Sequence, residues 1–337
     1  MGGEGRLLEA GRSSLIDRVM KLPEIFDRPP VLLDIGAAGE IHPKWRPIAR
    51  YSVCIAFDAD ERGLDGVREE TGRYRKLHIY NRVAVDDRSK NEVEFHLTRL
   101  PTCSSTLRPR AESLSRWAFA DYFEVERSVR LRAVRITEVL DELGIGKIDW
   151  FKTDSQGTDL RLFRGLGEER IRRVLAAEFE PGILDAYEGE DKLWAVLSFM
   201  EGYPFWVSDI VLGGTQRLDP GIIRGRLSAR QRRYLPRVLR LSPGWAGIAF
   251  LNRFDDEDRV LEKRDYLLGW VFAMLERQPG FAIEVARGGE ERYGDPFFRE
   301  LEEHAFSKLM GELRKWPRMM IRDRLAGIRR KIFPGAG

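Results

Sequence analysis

The chain has 337 residues, 43% of them hydrophobic, enough for a sizeable core in one large domain with an appendage. Its 57 lysines and arginines nearly balance 54 aspartates and glutamates, and a net charge of +3 argues against a dedicated nucleic-acid binder. Two cysteines, Cys54 and Cys103, give neither a disulfide framework nor a zinc spacing, which fits a reducing cytoplasm. No run approaches the roughly 18 apolar residues that span a bilayer. The N-terminus carries acid and glycine where a secretory peptide needs a basic start and an apolar block, so a cytoplasmic protein is expected.

Residues 13–22 place Leu15, Ile16, Val19 and Met20 on one face and predict a short N-terminal helix. The stretch 31–40, VLLDIGAAGE, is a short apolar run after Pro29-Pro30 that ends in an acid and a glycine turn, which favours a buried parallel strand. Residues 43–51 are expected to form the first crossover helix, with Pro43 tolerated in its first turn. The second apolar run, 51–57, ends in Asp58, 24 residues after Asp34. An acid at that strand tip can accept hydrogen bonds from a ribose diol. Residues 61–71 read as a polar helix, and 76–85 as one strand ending in Asp86. The stretches 91–97 and 128–136 alternate with period two and read as strands. The turn-rich segment 101–109 is expected over the open end of the sheet.

Further on, a short helix follows Thr137, and 148–153 is a buried strand interrupted by Lys152, then a turn at 154–157 and a helix to Arg164. Residues 173–179 give the next strand and 188–201 a long helix. The stretches 203–212 and 247–254 form an antiparallel pair on the sheet edge, and between them the arginine-rich 224–240 is an inserted loop or helix. Strands alternating with helices imply an α/β fold, a doubly wound, mostly parallel Rossmann-like sheet with ligands at the carboxyl ends of its strands. The expected organisation is an N-terminal helical segment (1–28), the sheet domain (29–255) and a helical C-terminal extension (256–337) broken at Pro279-Gly280 and Gly288-Gly289. Residues 311–333 carry eight basic residues on an amphipathic pattern. Such a helix can lie on an anionic membrane surface or pack on its own domain with a solvated basic face; Pro317, which interrupts the stripe, favours the second.

The first glycine turn is not G-x-G-x-x-G and holds no P-loop lysine. Asp34 would repel a diphosphate but could pair with an ammonium group. The loop therefore suits S-adenosylmethionine, a cation carrying an amino acid, better than NAD. A tight turn can use glycine with no ligand at all; Asp58 tips the reading toward a ligand.

The chain resembles the FkbM-type methyltransferases, S-adenosylmethionine-dependent O-methyltransferases of the class I fold. DIGAAG, AFDAD, NRVAVDD, TCSST, RITEVLDELGIGKIDWFKTDSQGTDLRLFRG and AAEFEPGILDAYEGE stand in the family's order over residues 32–212. The resemblance implies a methionine-side loop of Asp34, Gly36, Ala37 and Gly39, ribose contacts at Asp58 and neighbouring Ala59, and adenine contacts at Asp86 with Val85. It places Lys152 and Asp154 near the sulfonium and the acceptor hydroxyl. Glu178 and Glu180, at i and i+2, share a strand face; one could act as general base, or the pair could be structural contacts to Lys or Arg, with equal weight. Gln156 replaces the family's usual Glu and Asp159 its second Glu, while Ala38 stands where Asn is common.

The reading that follows is S-adenosylmethionine-dependent methyl transfer to a hydroxyl of a sugar, glycan or other polar small metabolite. The alternative is a catalytically weakened cofactor-binding scaffold, peripheral to a membrane through its basic C-terminal helix. No metal is expected, since His42, His78, His96 and His304 are scattered.

Overall fold

The computed structural model describes residues 14–86, 91–255 and 260–316. Ten strands occur among them: β1 (Val31–Ile35), β2 (Val53–Phe57), β3 (Lys76–Tyr80), β4 (Val83–Val85), β5 (Glu92–Thr98), β6 (Val125–Arg135), β7 (Trp150–Thr153), β8 (Ala176–Phe179), β9 (Phe205–Thr215) and β10 (Ser242–Asn252). Seven form the central sheet in the order β3-β2-β1-β7-β8-β10-β9. The first five run parallel, and β10 is antiparallel to both β8 and β9. This is the expected α/β, mostly parallel Rossmann-like architecture. The expected terminal pair is present, with β9 at the edge and β10 inside it.

Alternation along β1 builds both layers. Leu32 packs with Cys54, Ala56 and Trp150 on one face, and Leu33 with Ile55, Phe151 and Phe179 on the other. The first face is covered by helix Lys263–Leu275, buried from Arg264 through Ala273, whose Phe272 ring lies 4.7 Å from that of Trp150. A helix apolar nearly all round belongs inside a core. The second face carries helices Ile136–Glu142, Asp159–Arg164 and Leu193–Met200. Residues from both sides of position 256 thus share one core.

Local expectations fail where short-range chemistry intervenes. Residues 43–51 form two 3₁₀ turns, Pro43–Trp45 and Ala49–Tyr51, because the segment is short and Pro47 supplies no amide hydrogen in its middle. Residues 76–85 split into β3 and β4 at Asn81, whose side-chain amide donates to the Asp58 carbonyl (3.0 Å). Strand β4 then joins a separate sheet, β4-β6-β5. Strand β8 begins at Ala176 rather than at Arg173 as expected, because Arg173 closes a helix, Glu168–Arg173. The arginine-rich insert is helical, Pro220–Arg226 and Ala229–Val238. Gly288-Gly289 does not break its segment but lies inside helix Pro279–Tyr293. A Cβ at Gly289 would come within 2.4 Å of the Phe298 ring, so this glycine permits helix contact. Most of the basic pattern at 311–333 lies outside the described residues, whose last helix is Phe297–Leu313.

Candidate functional site

Three charged residues stand side by side at the carboxyl ends of adjacent strands. Register pairs Asp34 of β1 with Lys152 of β7, and Lys152 with Glu178 of β8. Lys152 Nζ lies 2.8 Å from Asp34 Oδ1, and His42 N donates to Asp34 Oδ2 (2.9 Å). Asp34 is fully buried, so its carboxylate is committed to the protein rather than free for a ligand's ammonium group. Burial opposes the Lys152 charge, but Asp34, Asp154 and Glu178 outweigh it and raise its pKa. Glu178 accepts from Trp150 Nε1 (2.9 Å), with Lys44 Nζ and His42 Nε2 each 3.1 Å away. Burial would raise its pKa, yet His42 and Lys44 hold it down at about 2. A carboxylate so fully paired is a poor proton acceptor.

The turn after β1 is shaped by backbone contact. Gly36 adopts φ +77°, and a Cβ there would fall 2.1 Å from the Asp154 carbonyl oxygen. Only glycine lets the β1 and β7 tips meet so closely. Gly39 adopts φ +86°, and its carbonyl would lie 1.7 Å from a Cβ at Gly66. Above this turn opens a cavity of about 260 Å³, lined by Gly36, Asp58, Arg82, Ala84, Phe95 and Lys152 among others. Asp58 is nearly buried at the β2 tip. Its Oδ1 accepts from Asp60 N (2.7 Å), while its Oδ2 has no hydrogen-bond partner among the described residues. Burial pushes its pKa up to about 6. Asp58 lines the cavity, and a buried carboxylate oxygen without a donor is costly unless a ligand supplies one.

At the cavity's other end, Asp154 and Gln156 form a junction. They and Thr102 also line a second cavity of about 600 Å³. Gln156, in left-handed backbone (φ 57°), donates its amide to Asp154 Oδ1 and accepts from Tyr187 Oη (2.9 Å). The neutral amide bridges an acid and a hydroxyl, which a carboxylate could not do without a proton. Burial raises the pKa of Asp154, and so does the neighbouring Glu180; Glu180 is raised by burial and by Asp159. Asp159 is itself buried and ties the junction together, accepting from Thr153 Oγ1 (3.0 Å), Ser155 N (2.8 Å) and Glu180 N (3.0 Å). Its shorter side chain serves as an internal anchor.

Of the residues singled out from the sequence, Gly36, Asp58, Ala59, Lys152 and Asp154 line the first cavity. Glu180 lines the second. Asp34, Ala37 and Gly39 do not line the first cavity: Asp34 is sealed by Lys152, Ala37 is buried with its N donating to the Phe57 carbonyl (3.1 Å), and Gly39 is exposed in the turn. Val85 and Asp86 line an adjoining cleft instead, because the break at Asn81 leaves Arg82, Val83 and Ala84 at the cavity wall. Sequence reasoning missed the Arg62 clamp on Asp60, which lies beside Ser104, and the wall residues Phe95, Tyr187 and Trp245. The paired acids of AFDAD signalled the first; Tyr187 stood in a quoted motif without an assigned role. Among the described residues, no group of His, Cys, Asp and Glu is arranged to hold a metal, and no helix is long and apolar enough to cross a membrane.

Residues 52–202 match the family model described as the methyltransferase FkbM domain. The match begins after β1 and ends before β9. No curated protein and no solved structure matches the chain.

Proposed function

We propose that this chain, an FkbM-type methyltransferase by residues 52–202, takes its methyl group from S-adenosylmethionine and passes it to a hydroxyl oxygen. The observation that carries this reading is the meeting of two cavities at Asp154 and Gln156, as a donor and an acceptor that must react end to end require. The residues of the first cavity fit the cofactor. The unpartnered Asp58 Oδ2 can accept from a ribose hydroxyl, and the Gly36 turn, where any Cβ would strike the Asp154 carbonyl, brings the β1 and β7 tips together at the cavity wall. Arg82, Ala84 and Phe95 offer a partly apolar wall for a base.

Bound there, S-adenosylmethionine would supply an electrophilic methyl on a positively charged sulfur. The chain's own work is positioning and proton handling. The Asp34–Lys152 pair fixes the β1 and β7 tips on either side of the Gly36 turn. Asp154 and Glu180, two acids with raised pKa values, can share one proton, and the ionised member accepts the hydroxyl proton as the new C–O bond forms. Gln156 and Asp159 keep that pair in place. Because Glu178 is held ionised by its partners, the base work falls to Asp154 and Glu180.

Calorimetric titration with S-adenosylmethionine and S-adenosylhomocysteine tests the cofactor assignment. Absence of binding, or undiminished binding in Asp58→Ala, would sink it. Methyl transfer from labelled donor to a panel of hydroxylated acceptors then tests the chemistry. Binding without transfer across the panel would leave a scaffold.

A further inference from the structure

The insert between β9 and β10 has a composition unlike the rest of the chain. Residues 220–241 contain seven arginines and no aspartate, glutamate or lysine. Arg224 pairs with Asp121; among the described residues, Arg230, Arg232, Arg233, Arg237 and Arg240 have no acidic partner. Helix Ala229–Val238 opens with a Ser228–Gln231 capping box, so it is a well-formed helix, yet none of its residues is buried.

Its two faces differ. Arg232, Leu235 and Pro236, at i, i+3 and i+4, line the second cavity together with Ile223 and Leu241. The outer face presents Arg230, Arg233 and Arg237 interleaved with Tyr234 and Val238, the latter 73% exposed. Ile222 on the preceding helix is also exposed, as are Ile210, Val211 and Leu212 on β9, the edge strand that leads into the insert. Tyr234 and Val238, left in water among unpaired arginines on one helix face, lack a partner that is anionic and apolar at once.

We infer that this outer face seats the protein on an anionic lipid bilayer, so that the second cavity opens beside the membrane and receives an amphiphilic, membrane-borne hydroxyl acceptor. The surface chemistry is that of an interfacial basic amphipathic helix, with arginines toward phosphate headgroups and apolar side chains in the acyl boundary. A nucleic-acid backbone would match the arginines and leave Val238 among them in water, which is why lipid is favoured. The apolar residues Ile223, Leu235, Pro236 and Leu241 on the insert wall suit an apolar acceptor body, while Asp154 and Glu180 face its polar end. The nature of the acceptor rests on the methyl-transfer reading; membrane seating does not.

Co-sedimentation of the full chain with vesicles decides it. Phosphatidylcholine containing phosphatidylglycerol should bind the protein, and phosphatidylcholine alone should not. Arg230→Gln/Arg233→Gln/Arg237→Gln should weaken binding on the order of a hundredfold. Tyr234→Ser/Val238→Ser should also weaken it, with S-adenosylhomocysteine affinity unchanged in both variants. Equal binding to both vesicle types, no binding to either, or undiminished binding in either variant overturns the inference. So does tight binding to single-stranded RNA by a protein that ignores the vesicles. Vesicle binding by a protein that does not bind S-adenosylhomocysteine would retain the membrane face and discard the methyl-transfer reading.

Discussion

Lys152 and Asp34 are register partners on adjacent parallel strands, and their charged groups meet at 2.8 Å directly behind the Gly36 turn. A lysine in the middle of a buried strand looks like a reactive group in the sequence. In the fold it neutralises a carboxylate that has no access to solvent. Lys152→Met should leave Asp34 buried and unpaired, costing about 3–5 kcal/mol in denaturant unfolding. Lys152→Met/Asp34→Leu should recover much of that loss. Equal stability of Lys152→Met and the parent would show that the pair has no such role.

If S-adenosylmethionine binds as proposed, Asp58 should give its affinity a pH dependence. With its pKa raised to about 6, the carboxyl in the free protein is protonated below that pH. Ribose hydroxyls are held best by the ionised form. S-Adenosylhomocysteine affinity should therefore rise to a plateau above about pH 6 and fall roughly tenfold per unit below it. Asp58→Asn should bind more weakly at neutral pH and lose that dependence. Titration calorimetry across this range reads both effects.

Glu178 works in the opposite direction. Its folded pKa of about 2 lies below the ordinary 4.5, so the unfolded chain takes up a proton first as pH falls. The resulting stability, on the order of 3 kcal/mol, is fully present above about pH 4.5 and lost as pH drops toward 2. Urea denaturation should show Glu178→Gln less stable near neutrality and flatter with pH across that window. Methyl transfer, measured where the variant remains folded, should survive.

Gln156 sets the charge at the junction. Gln156→Glu would place a third carboxylate beside Asp154 and Glu180, so the acid limb of the pH–rate profile should move to higher pH. Gln156→Ala should leave the limb nearer its original place while weakening the tie to Tyr187. Steady-state rates from pH 5 to 9 distinguish the two; an identical limb in Gln156→Glu would remove Asp154 and Glu180 from the proton transfer.

Much of the fold was legible because period and punctuation carry it. Val31–Ile35 and Val53–Phe57 are short apolar runs with acids at or just beyond their carboxyl ends, and their parallel pairing follows from that pattern. Other features depend on distant partners. That Asp34 would face Lys152, or Glu178 would gather Lys44, His42 and Trp150, requires register across strands far apart in sequence. Gly288-Gly289 resembled a break because the contact it allows, with Phe298, is made by another helix. Of the site, Asp58 and Asp154 were readable at their strand tips, whereas the aromatic walls arise from segments with no motif of their own.

The buried Arg264 has a practical consequence. Its guanidinium grips Asp149 through two 2.8 Å contacts at the amino-terminal end of β7, and also donates to the carbonyls of Arg28 (2.9 Å) and Pro29 (3.2 Å) just before β1. Asp149 in turn accepts from Val31 N (2.9 Å). Expression of residues 52–202 alone would discard the first strand, the antiparallel edge and this cation, leaving Asp149 with Lys147, 3.7 Å away, as its remaining basic neighbour. A fragment that keeps these contacts runs from before Arg28 to beyond helix Lys263–Leu275, and truncations designed on the matched stretch should accumulate as insoluble protein.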